Sequence, residues 1–201
     1  MKQSVKNSAT EEHIKATALE VFFVDGNIHA TTQEIADKAG VNRALIHYYF
    51  RSRDNLFEIV LHEAMKSIHK RISGNILSDA PFRERIEAFI DAQFNEITKY
   101  PYLEMYIATE AIRNPALMHE PFLDTEDEMD AKLMADMKVE IEKGHIADIP
   151  VEHFKANMMA LCGFPFIGRP LLQKMIKMDD AAYNNFLRER KDVIIKLLFR
   201  E

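Results

Sequence analysis

The chain of 201 residues holds a single cysteine, Cys162, so no intramolecular disulfide can form and an oxidising compartment is not required. Glycine (6) and proline (7) are scarce and alternating β-branched stretches are nearly missing, which predicts helices throughout. No apolar run approaches the ~20 residues that a membrane span needs. The polar, basic start from Met1 to Ser8 lacks the apolar stretch of a secretion signal, so a cytoplasmic protein without a membrane partner is expected. His-x3-His and Cys-x2-Cys spacings, a G-x-S-x-G elbow, a P-loop and a dinucleotide fingerprint are all missing. Catalytic residues, a metal and a cofactor are therefore not expected. The acidic run Glu120, Asp124, Glu126, Asp127, Glu128, Asp130 lacks the glycine and spacing of a calcium loop and reads as a solvated helix start.

One further absence is local. Between Lys38 and Arg53 there is no Asp or Glu, although the whole chain carries a formal net charge of -6. Around this stretch the signals of two short helices accumulate. Thr31 and Glu34 have capping-box spacing, and Ile35, Ala36 and Ala39 give an inner face. Gly40 falls where a left-handed residue ends a helix, with Val41 as an apolar plug. Asn42 stands at the cap of a second helix, in which Leu45 or Ile46, with Tyr49, can point inward. The segment reads as a helix-turn-helix.

A cationic stripe on an acidic chain selects the surface that can meet a phosphate backbone. Arg43 has the donors to grip guanine or a phosphate, and Asn42 can cap or read adenine. Thr31, Thr32, Tyr48, Tyr49 and Arg53 fit phosphate positioning, although one of the two tyrosines can equally be core. His47 is either a solvated helix residue or a DNA contact.

Residues 10 to 57 resemble the DNA-binding domain of the tetracycline-repressor (TetR) family of bacterial transcription regulators. The resemblance rests on Ile14, Ala18 and Phe22, on Asp25-Gly26, on Thr31-Thr32, and on Ile35-Ala36 with Ala39-Gly40-Val41. It continues through Ile46-His47-Tyr48-Tyr49-Phe50 and Ser52-Arg53-Asp54-Asn55-Leu56. His47 stands where the family usually has tyrosine and Arg53 where it usually has lysine. The resemblance implies DNA contacts from Thr32, Gln33, Arg43, Ala44, His47, Tyr48, Tyr49 and Arg53.

The expected fold is all-α: an N-terminal three-helix helix-turn-helix domain over residues 1–50, and a C-terminal helical ligand-binding and dimerisation domain over residues 51–201. A fourth helix should run from near Ser52 to about Ile72, followed by helices near 82–99, 101–113, 122–143, 152–176 and 180–199. Pro165 should kink or break the chain somewhere in residues 163–170. Tyr183, Phe186, Leu187, Ile194, Leu197 and Leu198 form an apolar stripe, matched by Phe154, Met158, Leu161 and Cys162. The resemblance makes these last helices a homodimer interface, while periodicity alone fits an ordinary core equally well. Phe89, Phe94, Tyr102, Met105, Tyr106, Phe122, Met129, Leu133 and Met137 lie on helices that surround an effector cavity in that family. Of these, Phe89, Tyr102, Met105, Tyr106, Phe122, Leu133 and Met137 are the candidate effector contacts, with core packing as the alternative for each.

The sequence thus points to a homodimeric, ligand-responsive regulator of double-stranded DNA: a repressor at a palindromic operator, released by a small apolar or aromatic effector of unknown identity. Activation remains open. One rival is a DNA-binding regulator without an effector, constitutive or controlled by a protein partner. Another is an enzyme or carrier that keeps the helix-turn-helix as scaffold.

Overall fold

The capping box expected at Thr31 is formed. The Glu34 N–H donates to the Thr31 hydroxyl oxygen at 3.2 Å, and the Thr31 N–H donates to the Glu34 carboxylate at 2.7 Å. These bonds hold the exposed Glu34 carboxyl below the usual glutamate range, so the cap is in place at neutral pH and lost as pH falls through that lowered value. In the computed structural model the described residues are 2–115 and 125–200, with side-chain detail from residue 8 onward, Glu126 excepted. Phe122, Glu120 and Asp124 lie outside the described residues.

Among the described residues there are ten α-helices and no strand. They are α1 Lys2–Leu19, α2 Thr32–Ala39, α3 Arg43–Phe50, α4 Arg53–Ile76, α5 Phe82–Lys99, α6 Leu103–Arg113, α7 Glu126–Glu142, α8 Val151–Ile167, α9 Arg169–Ile176 and α10 Asp180–Leu198. The chain divides into two compact units, Met1–Ser67 with Lys99–Pro121, and Ile68–Thr98 with Phe122–Glu201. The unit that holds the helix-turn-helix therefore extends beyond residue 50 and includes α6.

In that first unit α1 runs directly into a π-helical turn, Glu20–Val24, where the Asp25 N–H reaches the Glu20 carbonyl at 3.0 Å. The widened turn lets three consecutive residues, Val21, Phe22 and Phe23, all bury. Ile14, Ala18, Ile35, Ala36, Ile46, Phe50, Leu56 and Val60 complete a core assembled from α1 to α4. The Phe22 and Phe57 rings meet edge to face, 5.2 Å between centroids. Gly40 takes the left-handed conformation (φ 64°) and ends α2, and its N–H caps back onto Ala36 and Asp37. Asn42 is the cap of α3, its side-chain oxygen accepting from the Ala44 N–H at 2.8 Å. Ile46 rather than Leu45 is the fully buried member of its pair.

The second unit packs α5, α7, α8 and α10 around Ile86, Phe89, Ile90, Leu133, Met137, Phe154, Met158, Cys162 and Ile194. Arg85 enters this interior because its guanidinium is fully used: it donates to the Ile76 carbonyl and to the Asp136 carboxylate. Pro165 is accommodated inside α8, and the break expected over residues 163–170 falls at Gly168. There the backbone closes on Phe164, whose carbonyl would sit 3.0 Å from any Cβ, and Pro170 follows in the first turn of α9, where proline costs no hydrogen bond. The Pro165 carbonyl accepts the Tyr183 hydroxyl. The two apolar stripes split. Phe154, Met158, Cys162, Tyr183, Ile194 and Leu198 are buried within the protomer, whereas Leu197 is exposed. No described helix is long and apolar enough to cross a membrane.

Candidate DNA-binding face and effector cavity

Arg43, His47 and Arg51 follow one another at four-residue spacing, from the first residue of α3 to the residue that ends it. Together with Thr32, Ser52 and Arg53 they line a single notch, and no Asp or Glu is among its described lining residues. Arg43 is braced rather than free to wander: its Nε donates to the Thr32 hydroxyl oxygen at 3.0 Å. That bond leaves both terminal guanidinium nitrogens for a base or phosphate, and it leaves the Thr32 hydroxyl proton as a donor.

Arg51 caps α3 with φ 66° and ψ −47°, a conformation that favours glycine. Its carbonyl lies 2.6 Å from His47 Nδ1. A carbonyl can only accept, so Nδ1 carries the proton and the neutral ring presents Nε2 as an acceptor. Neither Arg51 nor Ser52 belongs to the set of contacts expected from the sequence. The signal that finds Arg51 is the continuation of the Arg43–His47 spacing by one more turn.

The other candidates divide by what already holds them. The Thr31 hydroxyl is engaged with Glu34, donating to its carboxylate at 2.7 Å, and Gln33 donates to Asp37 at 2.7 Å. Asn42 serves the cap, and Ala44 beside it is exposed. Tyr48 stands 62% exposed, with its ring edge to face against the half-buried Tyr49 at 5.0 Å. Arg53 is held by its own unit: its guanidinium lies over the Phe22 and Phe57 rings at 5.0 and 5.3 Å, Nε donates to the Ala30 carbonyl, and Nη1 pairs with Asp54. Lys38, at the start of the acid-free stretch, is neutralised by Asp25 at 2.6 Å and Glu20 at 3.1 Å, and the hydrogen bond to Asp25 leads in raising its pKa above the usual lysine value. The open positive charge of this face thus begins at Arg43.

The candidate effector residues do not form one group. Phe89 and Leu133 line a cavity of ≈190 Å³ in the second unit, with His69, Ile72 and Ile76 of α4, Met129 and Asp130 of α7, and Lys155, Met158 and Met159 of α8. Met137 is buried in the same core but opens onto a neighbouring groove. Tyr102, Met105 and Tyr106 belong to the first unit. There the Tyr106 hydroxyl donates to the Gly26 carbonyl at 3.0 Å, its ring lies against Phe23 and Phe57, and the Tyr102 ring packs where a Gly26 Cβ would stand. Phe122 lies outside the described residues. At the cavity edge, Lys155 Nζ meets Asp130 Oδ1 at 2.6 Å and His69 Nε2 lies 2.9 Å from the Thr125 hydroxyl. His69, Asp130 and Lys155 carry no sequence signal for this role, since the helices that bring them together are far apart along the chain.

Residues 14–60 match the model of the bacterial regulatory proteins, tetR family. The chain is 23% identical to Probable HTH-type transcriptional regulator YttP of Bacillus subtilis strain 168, over 96% of this chain and 95% of that protein. It is 31% identical to the HTH-type transcriptional regulator BetI of Brucella anthropi, over 35% of this chain and 36% of that one. Among solved structures, a TetR family transcription regulator from Marinobacter aquaeolei is similar over 100% of both chains, with a TM-score of 0.61 and 14% identity. A transcriptional regulator from Saccharomonospora viridis, solved in complex with choline, is similar over 96% of this chain and 100% of that one, with a TM-score of 0.69 and 18% identity. The helix-turn-helix with its cationic notch, the family match across it and the full-length relative together place this chain in the tetR family of bacterial regulatory proteins, as a helix-turn-helix transcriptional regulator.

Proposed function

We propose that the protein is a cytoplasmic homodimeric repressor that occupies a palindromic operator and leaves it when a small apolar or aromatic effector enters the cavity of the second unit. The observation that carries this reading is the notch of Arg43, His47, Arg51 and Arg53, free of lining carboxylates, on a chain of net charge -6. Only such a face gains from releasing the counterions of a duplex. Residues 1–50 would read DNA, with Arg43 on a base edge and Thr32, Gln33, Ala44, His47, Tyr48, Tyr49 and Arg53 around it, joined by Arg51. Residues 51–201 would carry effector binding and dimerisation.

Two features support the dimer. A two-fold pair of recognition helices reads half-sites about 34–36 Å apart. Large apolar side chains also stand exposed on three helices of the second unit: Met159, Phe164 and Ile167 on α8, Leu171, Met175 and Ile176 on α9, and Val193 and Leu197 on α10. The cavity, and the choline complex of the Saccharomonospora viridis protein, favour a small-molecule effector over constitutive binding. Coupling follows if the effector binds the DNA-incompetent state better; a preference of about 1–3 kcal/mol lowers operator affinity roughly 5- to 150-fold. α4 is a continuous helix that starts at Arg53 and carries His69, Ile72 and Ile76 of the cavity wall, which makes it the candidate to transmit that preference.

The test is titration of the purified protein against its own upstream DNA at several salt concentrations. Specific binding with a steep salt dependence, weakened by Arg43→Ala, is expected; salt-insensitive binding unchanged by that substitution would sink the reading.

A further inference from the structure

Resting on the reading of this cavity as an effector site, we propose that its ligand is an uncharged molecule of about one ring, with a single hydroxyl or carbonyl directed at the cavity edge. Size comes first. The volume of ≈190 Å³ is only slightly larger than a cavity of about 150 Å³ that takes up benzene, so one ring with a few substituent atoms fills it. The walls set the second condition. Ile72, Ile76, Phe89, Leu133 and Met158 offer hydrocarbon and thioether surface, and the methionines adapt to the outline of the occupant.

Charge is the condition that sharpens the class. Asp130 and Lys155 are the acidic and basic residues among the described lining residues apart from His69, and they neutralise each other at 2.6 Å. An anionic ligand must take Lys155 from Asp130, and a cationic one must take Asp130 from Lys155. Either exchange strands the displaced partner beside an apolar surface. A quaternary ammonium needs an aromatic cage, and Phe89 is the one aromatic ring among the described lining residues. A neutral ligand leaves the pair intact. Its polar atom can then share the rim with His69, whose Nε2 lies 2.9 Å from the Thr125 hydroxyl.

Calorimetric and melting titrations of the full chain at pH 7 with benzyl alcohol, benzoate, benzylammonium and choline separate the possibilities. Benzyl alcohol should bind at least tenfold more tightly than the three ions, and raise the melting temperature by about 3–5 °C at ten times its dissociation constant. Asp130→Asn, at a half-exposed position, should improve benzoate at least fivefold by releasing Lys155. Met158→Trp should fill the cavity and abolish binding, with Leu133→Phe as the second blocking variant should Met158→Trp not fold. If an ion binds as well as the alcohol and the blocking variant removes both, the neutral class is wrong and the cavity stands. If no probe binds, or binding persists in a folded blocking variant, the cavity reading fails and the inference with it.

Discussion

Arg51 and Lys155 put the same sign of charge to opposite uses. On the α3 face Arg43 and Arg51 are exposed, and the notch they line holds no described carboxylate to neutralise them. At the cavity edge Lys155 is locked to Asp130, and the surface behind it is hydrocarbon. The first arrangement attracts a polyanion from a distance and is screened by salt. The second has almost no field of its own and selects by shape and by the cost of stranding a charge. The difference teaches where each kind of specificity comes from. The DNA face depends on leaving cations unpaired within an acidic chain, and the cavity depends on pairing them.

The largest effect should come from attacking the packing that supports the DNA face. Phe22 is fully buried, meets Phe57 edge to face and lies under the Arg53 guanidinium. Phe22→Ala should cost about 3–5 kcal/mol in denaturant unfolding. In the cavity wall, Met158→Leu nearly conserves volume and should cost less than about 1.5 kcal/mol. If the two cost the same, the first unit is not the tightly filled body that its burial indicates.

Next in size is the removal of a reading group. Arg43→Ala deletes a guanidinium braced by Thr32 and should cost about 1–3 kcal/mol of operator binding, roughly 5- to 150-fold. Its unfolding midpoint should stay near that of the wild type, because the side chain is exposed and bonded only to another surface group. Fluorescence anisotropy with the operator and with a scrambled duplex checks this: a loss confined to the operator marks base reading, and an equal loss on both marks phosphate contact.

The two regions also differ in how far they could be read from the chain. Thr31, Glu34, Gly40 and Asn42 act on backbone groups within four residues of themselves, so the caps and the turn of α2 and α3 were legible, and the helices from α2 onward fall close to their expected bounds. The π turn at Glu20–Val24 was not legible, because it answers to the burial of three consecutive side chains and not to a local motif. The candidate effector set was the least legible. Tyr102 and Tyr106 are aromatic and helical like Phe89, yet they pack against Phe23, Gly26 and Phe57 instead of a cavity. Which side of an apolar helix faces a void depends on partners 40 to 90 residues away, and no spacing rule carries that information.

The smallest predicted effect is the most discriminating, because it sets stability against binding at one residue. Arg51 ends α3 at φ 66°, where a side chain is strained and glycine is not. Arg51→Gly should therefore raise stability by up to about 1 kcal/mol, seen as a higher midpoint in urea. The same change removes an open cation from the notch. Affinity should fall for all DNA sequences alike, and the slope of log affinity against log salt should shrink by about 0.9, the signature of one phosphate released. Arg53→Ala should behave in the opposite way: it strips a guanidinium from the Phe22 and Phe57 rings and from the Ala30 carbonyl, so the urea midpoint should fall. A stabilised Arg51→Gly protein with an unchanged salt slope would show that Arg51 holds its strained backbone for the sake of its carbonyl, which fixes His47, and not for its charge.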